Sequence, residues 1–415
     1  MMKHLLPAAF FLGFTALATA QNWPTWRGPN YDGISTEKGF PTKWSQTENV
    51  AWKFKLPAKC GSSPVVWENT IFLTSPGDGK NQVICLNRSG EKLWQTAVGA
   101  ARRGKHKKAS AANPSPVTDG KHVWVYFKSG EVACLDFNGK IIWQKNLQKM
   151  YGKDTLWWDL ATSPVLTDDC VVITCMHSGP SYLVGLEKET GKVAWKIDRN
   201  LGAPVEAAQS YTTPVVVSQN GKKSIVILGA DFVTAHNAAD GKELWRCGGF
   251  NPTGHKYYRS ISSPVVAEGM VFAPYARGST LTAVKLGGTG DVTKSHRAWN
   301  FKGASADVPT PVARNGRVYV CSDRGVVTCL DTSSGKTIWS KQVEKGRGGF
   351  SSSPVLADGK IYILREDGTG YVLKEGDEFE LLGRNSLNEN SLASICPTRG
   401  QLLIRTAQNL YCIGK

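Results

Sequence analysis

Along most of this chain, apolar residues alternate with polar ones in short β-branched runs, and Gly, Asn and Asp break the runs at regular intervals. The stretch from Val308 to Val343 is the most regular. Thr310-Pro311-Val312 leads through Asn315-Gly316 into Arg317-Val318-Tyr319-Val320-Cys321. Asp323-Arg324-Gly325 then turns into Val326 to Asp331, and Ser333-Ser334-Gly335-Lys336 turns into a run through Ile338-Trp339. Period-two runs joined by such turn residues predict consecutive hairpins, so the unit reads as a four-stranded antiparallel meander.

The unit recurs. Ser/Thr-Pro-Val returns at Pro64, Pro116, Pro164, Pro214, Pro264, Pro311 and Pro354, and Cys396-Pro397-Thr398 reads as a degraded eighth copy. Repeats of four strands at this spacing are the signature of propeller blades. A strand that keeps a proline at its start is expected at a sheet edge, here the innermost strand facing a central channel. Each fourth strand carries a tryptophan after a Gly-Lys type turn, at Trp94, Trp143, Trp195, Trp245, Trp299 and Trp339. The seventh repeat lacks it around Phe379 to Leu382. The eighth ends after its third strand, and Trp52 has no repeat of its own, so the strand around Trp52 is expected to complete blade eight and remove an open edge. The prediction is an all-β, eight-bladed β-propeller of four-stranded antiparallel blades, closed by an N-terminal strand.

Three segments follow. Residues 1–20 carry Lys3, an apolar run from Leu5 to Leu17 and Ala18-Thr19-Ala20, which reads as a cleavable signal peptide. Residues 21–48, with Trp23-Pro24-Thr25-Trp26-Arg27-Gly28-Pro29, lack a strand period and read as an ordered cap; residues 49–415 form the ring. The expected location is periplasmic or secreted. No later stretch is apolar enough for a membrane helix, and Cys60, the first cysteine, lies too far along for a processed lipid anchor. A monomer is expected.

The net charge of +16 favours acidic partners, and export makes nucleic acid the least suitable of them. Among the ten cysteines, Cys85, Cys134, Cys329 and Cys412 share one third-strand slot, filled elsewhere by Gly185, Ala235 and Ala283, so that slot calls for a small buried side chain. One or two bridges among Cys60, Cys170, Cys175, Cys247, Cys321 and Cys396 stay open, and spacing does not fix them.

In an up-down-up-down blade the blade-to-blade crossovers share one face with the second-to-third hairpins. The first four crossovers are long, and long loops on a rigid scaffold commonly carry function. The first holds Arg102, Arg103, Lys105, Lys107 and Lys108; the second, Trp157 and Trp158; the fourth, Tyr257, Tyr258 and Arg259; the sixth, Arg347 and Phe350. Arginine combined with aromatics is the composition of binding hot spots, so these twelve are the candidate partner-binding residues. Catalytic signals are absent: no His-Glu-x-x-His, Cys-x-x-Cys or Gly-x-Ser-x-Gly occurs. Asp159, Glu206 and Asp307 read as caps and turn formers rather than calcium ligands.

The segments Cys329-Leu330-Asp331-Thr332-Ser333-Ser334-Gly335-Lys336-Thr337-Ile338-Trp339 and Gly185 to Trp195 resemble the pyrroloquinoline quinone (PQQ)-type propeller repeat, over essentially the whole mature chain. Eight-bladed members of that family include quinoprotein alcohol dehydrogenases and BamB-type assembly factors, and Trp23 to Gly33 is similar to exported repeat proteins of planctomycete-like bacteria. The resemblance implies that Trp52, Trp94, Trp143, Trp195, Trp245, Trp299 and Trp339 dock neighbouring blades. Family dehydrogenases carry adjacent cysteines and a calcium beside the quinone, and this chain has no Cys-Cys pair. The reading is therefore a non-catalytic exported scaffold that binds an envelope protein or anionic polymer through its crossover face, with no catalytic, cofactor-binding or metal residue assigned. The alternatives are a PQQ- and calcium-dependent dehydrogenase stacking its cofactor on Trp157 or Trp158, and carbohydrate binding by the rim aromatics.

Overall fold

The computed structural model describes residues 22–303, 306–346 and 348–414, and the expected signal peptide falls outside them. Eight mainly antiparallel sheets succeed one another around a central channel. Blade six, the most regular in sequence, runs outward as Val312–Arg314, Arg317–Cys321, Val326–Asp331 and Thr337–Gln342. Blade eight takes Cys396–Thr398, Gln401–Arg405 and Asn409–Ile413 from one end of the chain and Val50–Lys55 from the other. Two blades carry a fifth, parallel strand: Gly290–Asp291 on the outer edge of blade four, and Ile34–Ser35 on the inner edge of blade seven.

The pairing register explains the small slot. Trp52 stands opposite Cys412, Trp94 opposite Cys85, Trp143 opposite Cys134, Trp195 opposite Gly185, Trp245 opposite Ala235, Trp299 opposite Ala283, and Trp339 opposite Cys329. An indole on one strand leaves room only for a small partner across the ladder. The same indoles reach the next blade. Nε1 of Trp52, Trp94, Trp143, Trp299 and Trp339 donates to the carbonyls of Arg88, Phe137, Lys188, Thr332 and Gly376 at 2.7–3.0 Å. Their rings cover turn glycines; a Cβ on Gly90 or Gly139 would lie 2.5 or 2.6 Å from the indole of Trp52 or Trp94. The glycine of Gly-Lys-x-x-Trp is thus the seat for the preceding blade's tryptophan.

Blade seven inverts the pair. Gly383 occupies the tryptophan position and faces Val372, and the space beside it holds the Thr42 carbonyl, 2.3 Å from where a Cβ would sit. Asn385 clamps that segment, accepting from Trp44 N at 2.8 Å and donating to Thr42 O at 3.0 Å. Chain from the N-terminal region fills the seat that the sequence left empty.

All ten cysteines are buried thiols with no bridge. Burial pushes the Cys85 and Cys134 thiols up to about 12, so they behave as small apolar groups.

A ring of hydroxyls links the inner strands. The backbone N–H of Ser63 donates to Ser115 Oγ, that of Ser115 to Ser163 Oγ, and the series continues through Thr213, Ser263, Thr310, Ser353 and Ser394 back to Ser63, each bond 2.9–3.1 Å long. The proline frees the strand start from the ladder, and the hydroxyl before it ties that start to the next blade. The eighth member is Ser394, with Ile395 at the proline position, because Cys396 and Val355 hold the same register in their sheets. The assignment of Cys396-Pro397-Thr398 as the eighth motif is therefore corrected by two residues; the hydroxyl, not the proline, is what the ring requires.

Residues 23–35 enter this channel. Trp23 bridges Val66, Pro24 O accepts from Thr118 N at 3.0 Å, and Tyr31 exchanges bonds with Leu166. Arg27, buried in the channel, donates to Pro354 O at 2.7 Å and Pro311 O at 3.0 Å. Burial lowers its guanidinium to about 10. The segment contacts blades one, two, three, six, seven and eight, and closes the channel from the short-turn face.

Candidate functional site

Above that plug, the crossovers descend to the inner strands and enclose a funnel of about 430 Å³. Its floor is the Trp26 indole, which donates to Ser394 Oγ at 3.3 Å, together with ring hydroxyls of Ser115, Ser163, Thr213, Ser263 and Ser353. One wall is the second crossover. Its short helix Leu147–Tyr151 is capped by Asn146, whose Oδ1 accepts from Lys149 N at 2.9 Å. Beyond it Trp157 N donates to Gln209 Oε1 at 2.9 Å and Trp158 N to Tyr211 OH at 3.1 Å.

Trp157 and Trp158 remain 47% and 41% exposed. Trp158 is nevertheless fixed: its Nε1 donates to Glu206 Oε1 at 2.8 Å, and His106 meets its ring edge-on with centroids 5.5 Å apart. Trp157 lies 6.3 Å from the exposed Tyr257 ring, and Tyr258 stacks on His255 at 4.1 Å. Arg259 is buried at the funnel wall. Its Nη1 and Nη2 take both oxygens of Asp307 at 3.1 and 2.9 Å, and its Nε lies 3.4 Å from Glu206 Oε1.

The basic loop divides in two. Arg102 pairs with Asp154 and donates to Gln148 Oε1, Lys105 donates to Leu156 O, and Lys108 pairs with Glu366 across the mouth. Arg103 and Lys107 face solvent, and neither has an ion-pair partner among the described residues. The loop's shape comes from Asp159. That buried carboxylate accepts from Lys105 N at 2.8 Å and His106 N at 3.0 Å, and it is ion-paired with Lys128, equally buried. Burial, with Arg102 and Lys105 nearby, pulls the Lys128 ammonium down to about 8. Lys128 also donates to Arg103 O at 2.8 Å, so one buried pair sets the course of the backbone from 103 to 106.

Of the residues singled out in the sequence, the structure gathers Trp157, Trp158, Tyr257, Tyr258 and the 102–108 loop around one mouth. Phe350 lies elsewhere in depth: it is 1% exposed, packs on Tyr371, and holds the sixth crossover against Gly325. Arg259 likewise works from within the wall. Arg347 lies outside the described residues. Sequence reasoning missed Trp26, Tyr211 and Arg277, an exposed cation at the mouth on the blade-five hairpin. The hydroxyls of the floor had a visible signal, their sevenfold repetition before proline.

Charge on this face is segregated. Asp154, Asp159, Glu206, Asp307, Glu344 and Glu366 are engaged by Arg102, Lys128, Trp158, Arg259, Arg384 and Lys108. Arg103, Lys107, Lys256, Arg277 and Arg324 are exposed without an ion-pair partner among the described residues. Exposed charge on this face is therefore mostly cationic, Asp78 on the blade-one hairpin being an exposed acid without an ion-pair partner among the described residues.

A family model described as outer membrane protein assembly factor BamB matches residues 35–181, 180–309 and 291–378. Relatives carrying that description include one from Yersinia pestis, 24% identical over 315 residues (74% of this chain, 72% of that protein), and one from Escherichia coli strain K12, 25% identical over 378 residues (80% and 90%). Among solved structures, BamB from Moraxella catarrhalis superposes with a TM-score of 0.63 at 14% identity, covering 88% of this chain and 97% of that one. The quinohemoprotein alcohol dehydrogenase from Comamonas testosteroni gives 0.68 at 12% identity over 95% and 81%. At such identities the superpositions speak for the fold alone.

Proposed function

The chain belongs to the family of the outer membrane protein assembly factor BamB, and from that premise we propose that it is an exported, non-catalytic scaffold that binds an acidic protein surface of the cell envelope through its crossover face. The observation that carries this reading is the segregation of charge: the acids around the mouth are engaged internally while the cations point outward. Two further features support it. The relatives' printed role is outer membrane assembly, and residues 1–20 have the pattern of an export signal. No helix among the described residues is long and apolar enough to cross a membrane.

Reversing Arg103, Lys107 and Lys256 to Glu together should weaken capture of the envelope partner roughly tenfold or more, since exposed pairs contribute about 0.2–1 kcal/mol each and reversal adds repulsion. The measurement is a pull-down from solubilised envelope quantified by mass spectrometry. Capture equal to wild type at low salt removes the crossover rim from the interface; an anionic polymer as the main species recovered replaces the protein partner.

The same reading assigns no quinone. A calcium-assisted quinone needs carboxylates open to the metal, yet Glu206 and Asp307 are turned to Trp158 and Arg259. The thiols are dispersed and buried. A chromophore retained after soaking the purified protein with PQQ and Ca²⁺, with dye reduction, would overturn this assignment.

A further inference from the structure

Below its cationic rim the funnel has a different chemistry. Three charged groups that line it are already paired in place: Lys108 with Glu366 at the mouth and, deeper, Asp159 with Lys128 and Arg259 with Asp307, Glu206 lying alongside. Away from Arg277 at the mouth, an ion entering this space would give up its hydration to meet only charges that already have partners. A neutral polar molecule loses less, because hydroxyls can replace their bonds to water.

The surfaces present define the shape of that molecule. The floor is a circle of seryl and threonyl hydroxyls around an indole, and one wall is the flat Trp158 ring, locked by Tyr211, Glu206 and His106. Arg259 Nε is buried without a hydrogen bond, on a residue that is 7% exposed. A rigid aromatic plane beside fixed planar polar groups suits a ligand with an apolar face and a polar rim. A pyranose has that anatomy: its axial C–H bonds form the face, and its hydroxyls project around the edge.

We propose that the funnel binds the terminal one or two rings of a neutral glycan, stacked on Trp158 with its hydroxyls directed at the ring of serines and the Arg259–Asp307 pair. Residues 23–35 close the far side, so the pocket is blind and receives a chain end rather than an internal unit. The site is independent of protein capture at the rim.

The test is calorimetric titration of the mature protein with cellobiose, maltose and N,N′-diacetylchitobiose, at low and at high salt. Saturable binding of at least one disaccharide is expected, unchanged at high salt because the sugar carries no charge to be screened. Trp158→Ala should weaken it roughly tenfold, while Trp158→Phe, which keeps an aromatic plane, should retain most of it. The Arg103, Lys107 and Lys256 reversals should leave sugar binding unaltered, which separates this site from the rim. Absence of saturable binding to all three sugars, binding that high salt abolishes, or equal affinity in Trp158→Ala would each overturn the proposal.

Discussion

Replacing Asp159 with alanine should destabilise the protein by roughly 3–5 kcal/mol, the usual range for removing one member of a buried ion pair. The carboxylate holds the Lys105 and Lys105-adjacent His106 amides and the Lys128 ammonium, and both side chains of the ion pair are 1% exposed. Without it Lys128 is left as a buried cation already disfavoured by its surroundings. Urea unfolding would read the loss, and amide hydrogen exchange at residues 103–108 should accelerate in the same variant. Adding Lys128→Met should recover much of the stability, because no charge is then stranded. A single variant within about 1 kcal/mol of wild type would show that the pair does not organise the loop.

The second large effect is one of pH. His236 is buried, with Nδ1 2.9 Å from Gly241 O and Nε2 3.0 Å from Thr234 Oγ1, and Thr234 in turn accepts from Arg199 Nε at 3.0 Å. That chain of bonds is satisfied by a neutral imidazole that donates from Nδ1 and accepts at Nε2. Burial, reinforced by the Arg199 charge, lowers the imidazole to about 4. An unfolded histidine takes up its proton near 6.5, so between these values the unfolded chain binds more protons than the folded one. Stability is therefore full above about 6.5 and falls as the pH drops toward 4, by up to about 3 kcal/mol from this residue. Denaturant midpoints across that window should show the fall in wild type and a flatter profile in His236→Gln; identical slopes would mean the residue is protonated when folded.

What the sequence made legible was whatever repeats. The small slot opposite each tryptophan was visible as Cys, Gly or Ala at one position, and the closing strand followed from an orphan Trp52, because pairing and packing act on every blade alike. The irregular parts were not legible. Phe350 and Arg259 carry side chains typical of a binding rim, yet both face inward, because whether a loop residue turns in or out is decided by contacts with Tyr371 and Asp307, distant in sequence. Asp159 read as a turn former. Its partner, Lys128, sits at a blade-two hairpin that nothing in the local pattern links to residue 159. Ser394 was hidden because the proline used to find its equivalents is an isoleucine there.

The seam in blade eight has a mechanical consequence. Val50 lies opposite Ile413, and Gly414 N donates to Asn49 O at 2.8 Å, so Asn49 and Gly414 leave the ladder from the same end. Tension applied between them would peel the two strands apart one hydrogen bond at a time instead of shearing the whole ladder together. What stands in series with that weak direction is the N-terminal run, with residues 23–35 lodged in the channel and Thr42 seated beside Gly383. A pull transmitted from upstream of Trp23 would have to draw Arg27 out of its buried carbonyls before the first bond of the seam felt any load.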